Sequence, residues 1–297
     1  MEQFRGFSAF PVTPADAEGR VDADHLQQLV ANLNRGDVSS IGVLGSTGSY
    51  MYLSASERVR ALEAAIEAAE RPVLAGIGAM RTSEVIANAR AAEKAGAAGL
   101  LLAPVCYLPL TDDDVFGLFE DVAGATGLPI MIYNNPATTH FTVSDALTAR
   151  LATIPGVAAI KNPPPPEGDF ADQIKRLRTA APAGFSIGYS GDSAILGAMR
   201  AGADAWYSVL GGTMPAQVSA LWACRAETHE LARAAEPLVP LLRAFDAYGS
   251  IRVVHEVTEM VGLGVTRPPL PLKPLDKTAR AEIEKAVQSA MAVEDAA

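Results

Sequence analysis

Short apolar runs recur along the chain and alternate with segments of helical character. Most of the runs are continuously apolar and do not alternate with polar residues, which is typical of parallel strands covered on both faces. We therefore predict eight strands, at residues 7–12, 39–45, 72–78, 99–105, 128–134, 157–161, 185–191 and 205–211.

The segments between the runs carry helix start and stop signals. Ser54 and Glu57 are spaced as a capping box ahead of an apolar-periodic segment. Thr111 precedes three acids at 112–114, which would lie at the positive end of a helix dipole. Gly96 follows a lysine and an alanine, a pattern that indicates a helix ending through glycine into the next strand.

Eight strand–helix units in one train predict an α/β fold, the (β/α)8 TIM barrel. A doubly wound open sheet is the alternative, but no GxGxxG motif follows the first strand. We predict that the barrel strands and their rim occupy residues 1–212 and that the last barrel helix occupies about 213–232. A small helical C-terminal extension then spans about 233–297.

Beyond the eighth strand the pattern predicts further helices, separated by a proline-rich link at 267–274. We place them near 213–247, 250–262 and 277–293. Helices in this position are expected to serve packing or assembly rather than chemistry.

Composition narrows the class of protein. The chain has 297 residues, 49% hydrophobic and 20% charged, with a net charge of −10. This balance fits a globular protein and argues against nucleic-acid binding, which needs a basic surface. Two cysteines without a CxxC pair indicate a reducing compartment. With no signal-peptide pattern and no apolar run of membrane-spanning length, we expect a soluble cytoplasmic protein that does not contact membranes.

Polar residues gather where the predicted strands end, which in a TIM barrel is the catalytic face. The second strand leads into Gly-Ser-Thr-Gly at 45–48, a sequence whose backbone N–H groups and hydroxyls suit a carboxylate. By itself this tetrapeptide is equally an ordinary turn. The other strand-end residues are Tyr107, Tyr133, Lys161, Ser190, Tyr207 and Ser208.

Lys161 closes an apolar run and is followed by Asn162 and four prolines. One interpretation is structural: the stem of a strand-end lysine lies on apolar surface while its ammonium reaches water. The other is that Lys161 is a nucleophile whose amine is kept neutral by partial desolvation. Polar groups converging on this one lysine favour the second interpretation.

Other kinds of site find little support in the sequence. The acids at 112–114 are explained by a helix start without a metal. The four histidines show no ligand spacing, and no GxSxG elbow is present. We therefore expect no metal and no organic cofactor.

The rim motifs together resemble the dihydrodipicolinate synthase/N-acetylneuraminate lyase family. They are Gly-Ser-Thr-Gly at 45–48, the Tyr133-Asn-Asn-Pro136 segment, and Lys161 placed 28 residues after Tyr133. The resemblance runs from about residue 6 to the proline-rich link. It implies a (β/α)8 barrel, assembly as a homotetramer, and a covalent Schiff base between a lysine and pyruvate or a related 2-oxo acid.

The resemblance also implies roles for individual residues. Lys161 would form the Schiff base, Tyr133 would donate and accept protons, and Ser46 would link into that relay. Tyr107 would complete the relay across a subunit interface. The residues predicted to contact substrate are Ser46, Thr47, Gly48, Thr138, His140 and Ser208.

The chain departs from the family pattern around the second substrate. Thr138 stands where the synthase branch has an arginine that grips a carboxylate, Ser49 replaces a glutamate, and His140 replaces a glycine. Ala55 and Arg58 stand where some synthases have histidines tied to lysine feedback. These differences argue against dihydrodipicolinate synthase activity itself and against lysine inhibition.

The resulting hypothesis is a class I aldolase or lyase that joins a 2-oxo acid and an aldehyde or cleaves their product. Dehydration of a sugar-derived 2-oxo acid uses the same lysine chemistry and is the first alternative. A barrel that binds a 2-oxo acid without turnover is the second, because a fold does not fix a function.

Overall fold

A computed structural model describes residues 1–292 of the chain. Eight parallel strands form a closed barrel in chain order, and the first strand pairs with both the second and the eighth. The strands are β1 Gly6–Ala9, β2 Ser40–Val43, β3 Val73–Gly76, β4 Gly99–Leu102, β5 Ile130–Tyr133, β6 Val157–Asn162, β7 Ser186–Tyr189 and β8 Ala205–Ser208.

The closed barrel confirms the predicted fold and excludes the open sheet. Most predicted strands overrun the observed ones, because apolar residues continue beyond the hydrogen-bonded ladder into buried loops. Leu44, for example, is buried just after β2 and has a φ of 57°, so it belongs to a turn and not to the strand.

Helices surround the barrel and follow its strands. They are α1 Ala23–Asn32, α2 Ala55–Ala68, α3 Thr82–Ala95, α4 Asp112–Ala123, α5 Pro136–Thr139, α6 Asp145–Leu151, α7 Phe170–Ala180, α8 Ile195–Arg200, α9 Pro215–Ala223, α10 Thr228–Ala235, α11 Val239–Tyr248, α12 Ser250–Met260 and α13 Lys277–Met291. Single-turn 3-10 helices lie at Glu2–Phe4, Leu33–Arg35, Tyr50–Tyr52, Asp192–Ala194, Leu210–Gly212, Cys224–Ala226 and Glu236–Leu238.

Helix starts follow the local chemistry of the sequence. Ser54 accepts a hydrogen bond from the Glu57 N–H at the start of α2. At α4, Thr111 and Asp114 form a full capping box. The acidic run at 112–114 is therefore a helix start, and within residues 1–292 no group of three acidic, histidine or cysteine side chains is arranged to hold a metal.

Apolar side chains form two cores. The larger core fills the space between the strands and the surrounding helices. The smaller core lies inside the barrel and includes Phe4, Phe10, Leu101, Tyr133 and Tyr207. Because layers of side chains fill the interior, the barrel is not a pore and chemistry is confined to the rim at the strand C-termini.

The helices after β8 reach that rim. Helix α11 contacts the turn at Asp192–Ala194 after β7, where the Ser193 hydroxyl donates to Asp246 at 2.7 Å. The extension therefore contributes to the rim of the barrel as well as packing on it. The predicted boundary of the extension near residue 233 stays a prediction. The predicted last helix ends at 293, which lies outside the described residues, and α13 is described as far as Met291. No described helix is long and apolar enough to span a bilayer.

Candidate active site

Lys161 lies inside the barrel and does not extend to solvent. It stands opposite Tyr133 in the pairing of β5 and β6, and its side chain is 4% exposed. Its Nζ is 3.8 Å from the centroid of the Phe10 ring, 4.5 Å from that of Tyr133 and 5.8 Å from that of Tyr207. Three aromatic rings therefore surround the amine at close range.

The space for the Phe10 ring depends on a glycine. A Cβ at Gly42 on β2 would lie 2.2 Å from the edge of that ring. Any larger residue at this position would displace Phe10 and with it the apolar face against which Lys161 rests. The sequence of β2 thus shapes the setting of a side chain that lies four strands away.

Burial changes the protonation of this lysine. Loss of solvation lowers the pKa of Lys161 to about 7, and the nearby Asp192 carboxylate opposes the change only in part. An ordinary lysine has a pKa of about 10.4 and is almost fully protonated at neutral pH. A sizeable fraction of Lys161 is therefore a neutral amine, which is the form that attacks a carbonyl carbon.

A hydrogen-bonded triad lies beside the amine. The Tyr133 phenol donates to the Ser46 hydroxyl at 3.2 Å, and the Asn135 amide donates to both, at 3.0 Å and 3.3 Å. Burial raises the pKa of Tyr133, although its hydrogen bonds with Ser46 and Asn135 act in the opposite direction. The phenol therefore keeps its proton at neutral pH and is able to give it to a leaving hydroxyl.

The loop after β2 presents unused hydrogen-bond donors. Ser46 and Thr47 line the same cavity as Lys161. Within the described chain, the backbone N–H groups of Thr47 and Gly48 donate to no protein acceptor. Gly48 is closely packed, since a Cβ there would lie 2.9 Å from the Leu44 nitrogen. The loop therefore has the donors that a substrate carboxylate would use.

These groups open into one cavity of about 620 Å³. Its inner end holds Lys161, Tyr133 and Ser46, and its outer end is lined by Thr138 and residues of α11 and α12. This volume lies within the range of about 300–1,000 Å³ that is typical of small-molecule sites. A three-carbon acid would leave much of it free.

Four predicted site residues do not line this cavity, and one of them is Gly48 in the loop after β2. Tyr107 is 87% exposed, in the loop after β4. His140 ends α5 with an exposed side chain and a φ of 56°. Ser208 is fully buried, where its hydroxyl accepts from the Gly211 N–H at 2.9 Å. In a single chain, none of these side chains joins the triad.

Comparison with known proteins places the chain in a family. A model of the dihydrodipicolinate synthetase family matches residues 3–290. The chain belongs to this family. The resemblance drawn from the rim motifs is thereby confirmed.

Relatives in the dihydrodipicolinate synthetase family match this chain over almost its whole length. A 4-hydroxy-tetrahydrodipicolinate synthase of Salinibacter ruber is 32% identical over 294 residues, covering 97% of this chain and 95% of the relative. One from Acidiphilium cryptum is 31% identical over 292 residues, covering 96% of this chain and 97% of the relative.

Solved structures agree with the fold. The crystal structure of a dihydrodipicolinate synthase from Agrobacterium tumefaciens is 46% identical and superposes with a TM-score of 0.95, over 97% of this chain and 98% of that one. A dihydrodipicolinate synthase from Acinetobacter baumannii, solved in complex with pyruvate, is 27% identical with a TM-score of 0.87, over 97% of this chain and 99% of that one.

Sequence reasoning missed three residues of the candidate site. Asn135 lies within the Tyr-Asn-Asn-Pro motif, so the motif itself signalled it. Phe10 gave no signal, because an apolar residue at a strand end reads as core. Asp192 is buried and accepts from the Trp206 indole at 2.8 Å and the Leu210 N–H at 2.7 Å. An acid in a turn after glycine carries no motif that would identify it.

Proposed function

We propose that the chain is a class I lyase or aldolase in which Lys161 forms a Schiff base with pyruvate or a related 2-oxo acid. The observation that carries this proposal is a buried amine with a pKa of about 7, next to a phenol hydrogen-bonded to Ser46. Membership of the dihydrodipicolinate synthetase family supports it. A non-catalytic binder would need the carboxylate loop but not this triad.

The proposed reaction begins with binding of the 2-oxo acid carboxylate by the Thr47 and Gly48 N–H groups. The neutral amine of Lys161 adds to the oxo carbon and gives a carbinolamine. Tyr133 protonates the carbinolamine hydroxyl, which leaves as water, and the iminium remains. Ser46 and Asn135 hydrogen-bond the phenol oxygen and stabilise the negative charge that develops there.

The iminium then draws electrons from the neighbouring carbon. The Tyr133 phenolate takes a proton from that carbon and gives an enamine. The enamine adds to an aldehyde and forms a C–C bond, and the Tyr133 phenol protonates the resulting alkoxide. Hydrolysis of the new iminium releases the product and restores the amine. In the opposite direction the C–C bond breaks, and the aldehyde leaves before the enamine is protonated.

The same iminium also supports dehydration of a sugar-derived 2-oxo acid. Thr138 supports dehydration as the second candidate function, because it replaces the arginine with which the synthase branch grips a second carboxylate. An enzyme that dehydrates one substrate has no need of such a grip. The C–C bond reaction consumes or releases pyruvate, whereas the dehydration does neither.

We further propose that the enzyme works in the cytoplasm without metal or organic cofactor and assembles as a homotetramer. Large exposed apolar side chains support assembly. Tyr107 and Leu108 are exposed in the loop after β4, and Met51 and Tyr52 are exposed in the loop after β2, where they line the cavity. In an assembly Tyr107 would be available to a partner chain, which is the role that the resemblance implies for it.

Reductive trapping tests the lysine chemistry and its pH dependence. With pyruvate and cyanoborohydride, labelling of Lys161 is expected to rise about fivefold from pH 6 to pH 7 and to level off above pH 8, because the neutral fraction rises through a pKa of about 7. Peptide mass spectrometry measures labelling, and the exposed Lys175 serves as an internal control. No labelling of Lys161, or a rise that continues to pH 10, would contradict the proposal.

Substitution at position 138 tests the reading of the outer cavity. Thr138→Arg is expected to raise kcat/KM for aspartate semialdehyde at least about tenfold, because a bidentate guanidinium–carboxylate contact is gained where Thr138 lines the cavity. Pyruvate consumption measures the rate. Thr138→Gln, which is long but uncharged, is the control and should give little of the gain.

A further inference from the structure

The cavity continues well beyond the space that the reacting carbon atoms need. Its outer end lies between the turn after β7 and the start of α12, and it includes Ser190, Ser193, Asp246 and Ser250. We call these four residues the outer subsite. Asp246 and Ser250 come from the C-terminal extension, so the docking of that extension creates this part of the cavity.

The charges along the cavity wall differ between its two ends. Lys161 is the cation among the described lining residues, and it is consumed in the Schiff base, where the 2-oxo acid carboxylate lies beside it. The acidic lining residues are Asp192 and Asp246. A second anionic group at the outer end would therefore meet a carboxylate and no counter-charge.

Hydrogen-bonding capacity at the outer subsite is left over for a ligand. Ser193 donates to one oxygen of Asp246 at 2.7 Å. Within the described chain, the other oxygen of Asp246 accepts no hydrogen bond and no cation pairs with it. Ser250 is exposed, and its hydroxyl makes no hydrogen bond to any described residue. A carboxylate acceptor with hydroxyls around it matches the donors and acceptors of a vicinal diol.

We propose that the outer subsite binds the hydroxyl groups of an uncharged, polyhydroxylated chain end, so that the preferred substrate ends in an alcohol rather than in a phosphate or carboxylate. This inference rests on the proposed function, because Lys161 anchors the other end of the same molecule. It applies equally to an aldehyde that joins pyruvate and to a sugar-derived 2-oxo acid that is cleaved or dehydrated. Asp246 is the specificity-determining residue.

Competition against pyruvate tests this preference without requiring turnover. Lys161 is trapped with labelled pyruvate and cyanoborohydride in the presence of 2-oxo-3-deoxygluconate, which ends in an alcohol, or its 6-phosphate. We expect the alcohol to halve the labelling at a concentration at least about tenfold below that of the phosphate. Asp246→Asn is expected to lower the ratio of these two half-labelling concentrations at least threefold, and Asp246→Lys is expected to lower it further.

The control is Asp121→Asn, which removes one exposed carboxylate on α4 that does not line the cavity. It should leave the ratio unchanged. If Lys161 is labelled by pyruvate but the phosphate competes as well as the alcohol, or neither competes, the outer subsite is misassigned and the proposed function stands. If Lys161 is not labelled at all, the proposed function fails and this inference fails with it.

Discussion

Lys161→Met is expected to lower kcat/KM for any 2-oxo acid reaction by at least about 10⁴-fold, because a thioether cannot form a Schiff base. Methionine has nearly the length of the lysine stem and suits the apolar wall formed by Phe10, Tyr133 and Tyr207. The loss should therefore reflect missing chemistry and not a damaged fold. Pyruvate release or consumption measures it.

Stability provides the control for that substitution. Lys161 has its pKa lowered to about 7 by burial, whereas in the unfolded chain it is about 10.4. Between pH values of about 7 and about 10.4 this lysine is protonated in the unfolded chain but largely neutral in the folded one. Its contribution to the stability of the wild-type chain therefore becomes more favourable as pH rises from 7 towards 10. Removing the amine should raise the free energy of unfolding by about 2–4 kcal/mol at pH 7 and by little near pH 10. The attraction between the ammonium and the aromatic rings is lost with the amine and reduces this gain.

Thermal unfolding at pH 7 and pH 10 measures this gain. Lys175→Met, on the exposed surface of α7, should change neither the melting temperature nor the activity. An active Lys161→Met enzyme would contradict the Schiff-base mechanism. An inactive variant that is less stable at pH 7 would instead show that the buried amine carries a structural role.

The barrel could be predicted from sequence because its strands are buried on both faces. The runs at 128–134 and 157–161 contain β5 and nearly all of β6, and their ends place Tyr133 opposite Lys161. Motif spacing could bring these two residues together because the fold repeats one unit. Strand ends were predicted less well, since buried turn residues such as Leu44 have the same apolar character as strand residues.

The outer cavity could not be predicted from sequence. Asp246 lies more than fifty residues after Ser193, and only the docking of α11 on the turn after β7 brings the two side chains together. No periodicity encodes that contact. Asp192 was likewise invisible, because its partners are an indole on β8 and a backbone N–H beyond it. Sequence therefore predicts the shared lysine chemistry better than the choice of substrate.

Tyr133→Phe should lower kcat by about 10²–10⁴-fold, because it removes the proton that lets the carbinolamine hydroxyl leave as water. The ring stays near Lys161, where it lies 4.5 Å from Nζ, so the apolar setting that lowers the lysine pKa is kept. The pH at which trapping of Lys161 levels off should therefore stay near 7 while the trapping rate falls. Single-turnover trapping with pyruvate measures both.

Tyr189→Phe is the matched control, since Tyr189 ends β7 as Tyr133 ends β5 and is also buried. Its ring packs edge-on against Phe170 and its phenol donates to Gln173 at 2.8 Å, away from the cavity lining. This variant should lose less than about threefold in rate. Equal losses in the two variants would mean that a buried phenol matters for packing alone. A fall in rate confined to Tyr133→Phe, with an unchanged pH midpoint, would separate two effects. The Tyr133 hydroxyl would then supply the transferred proton, and burial would set the pKa of the Lys161 amine.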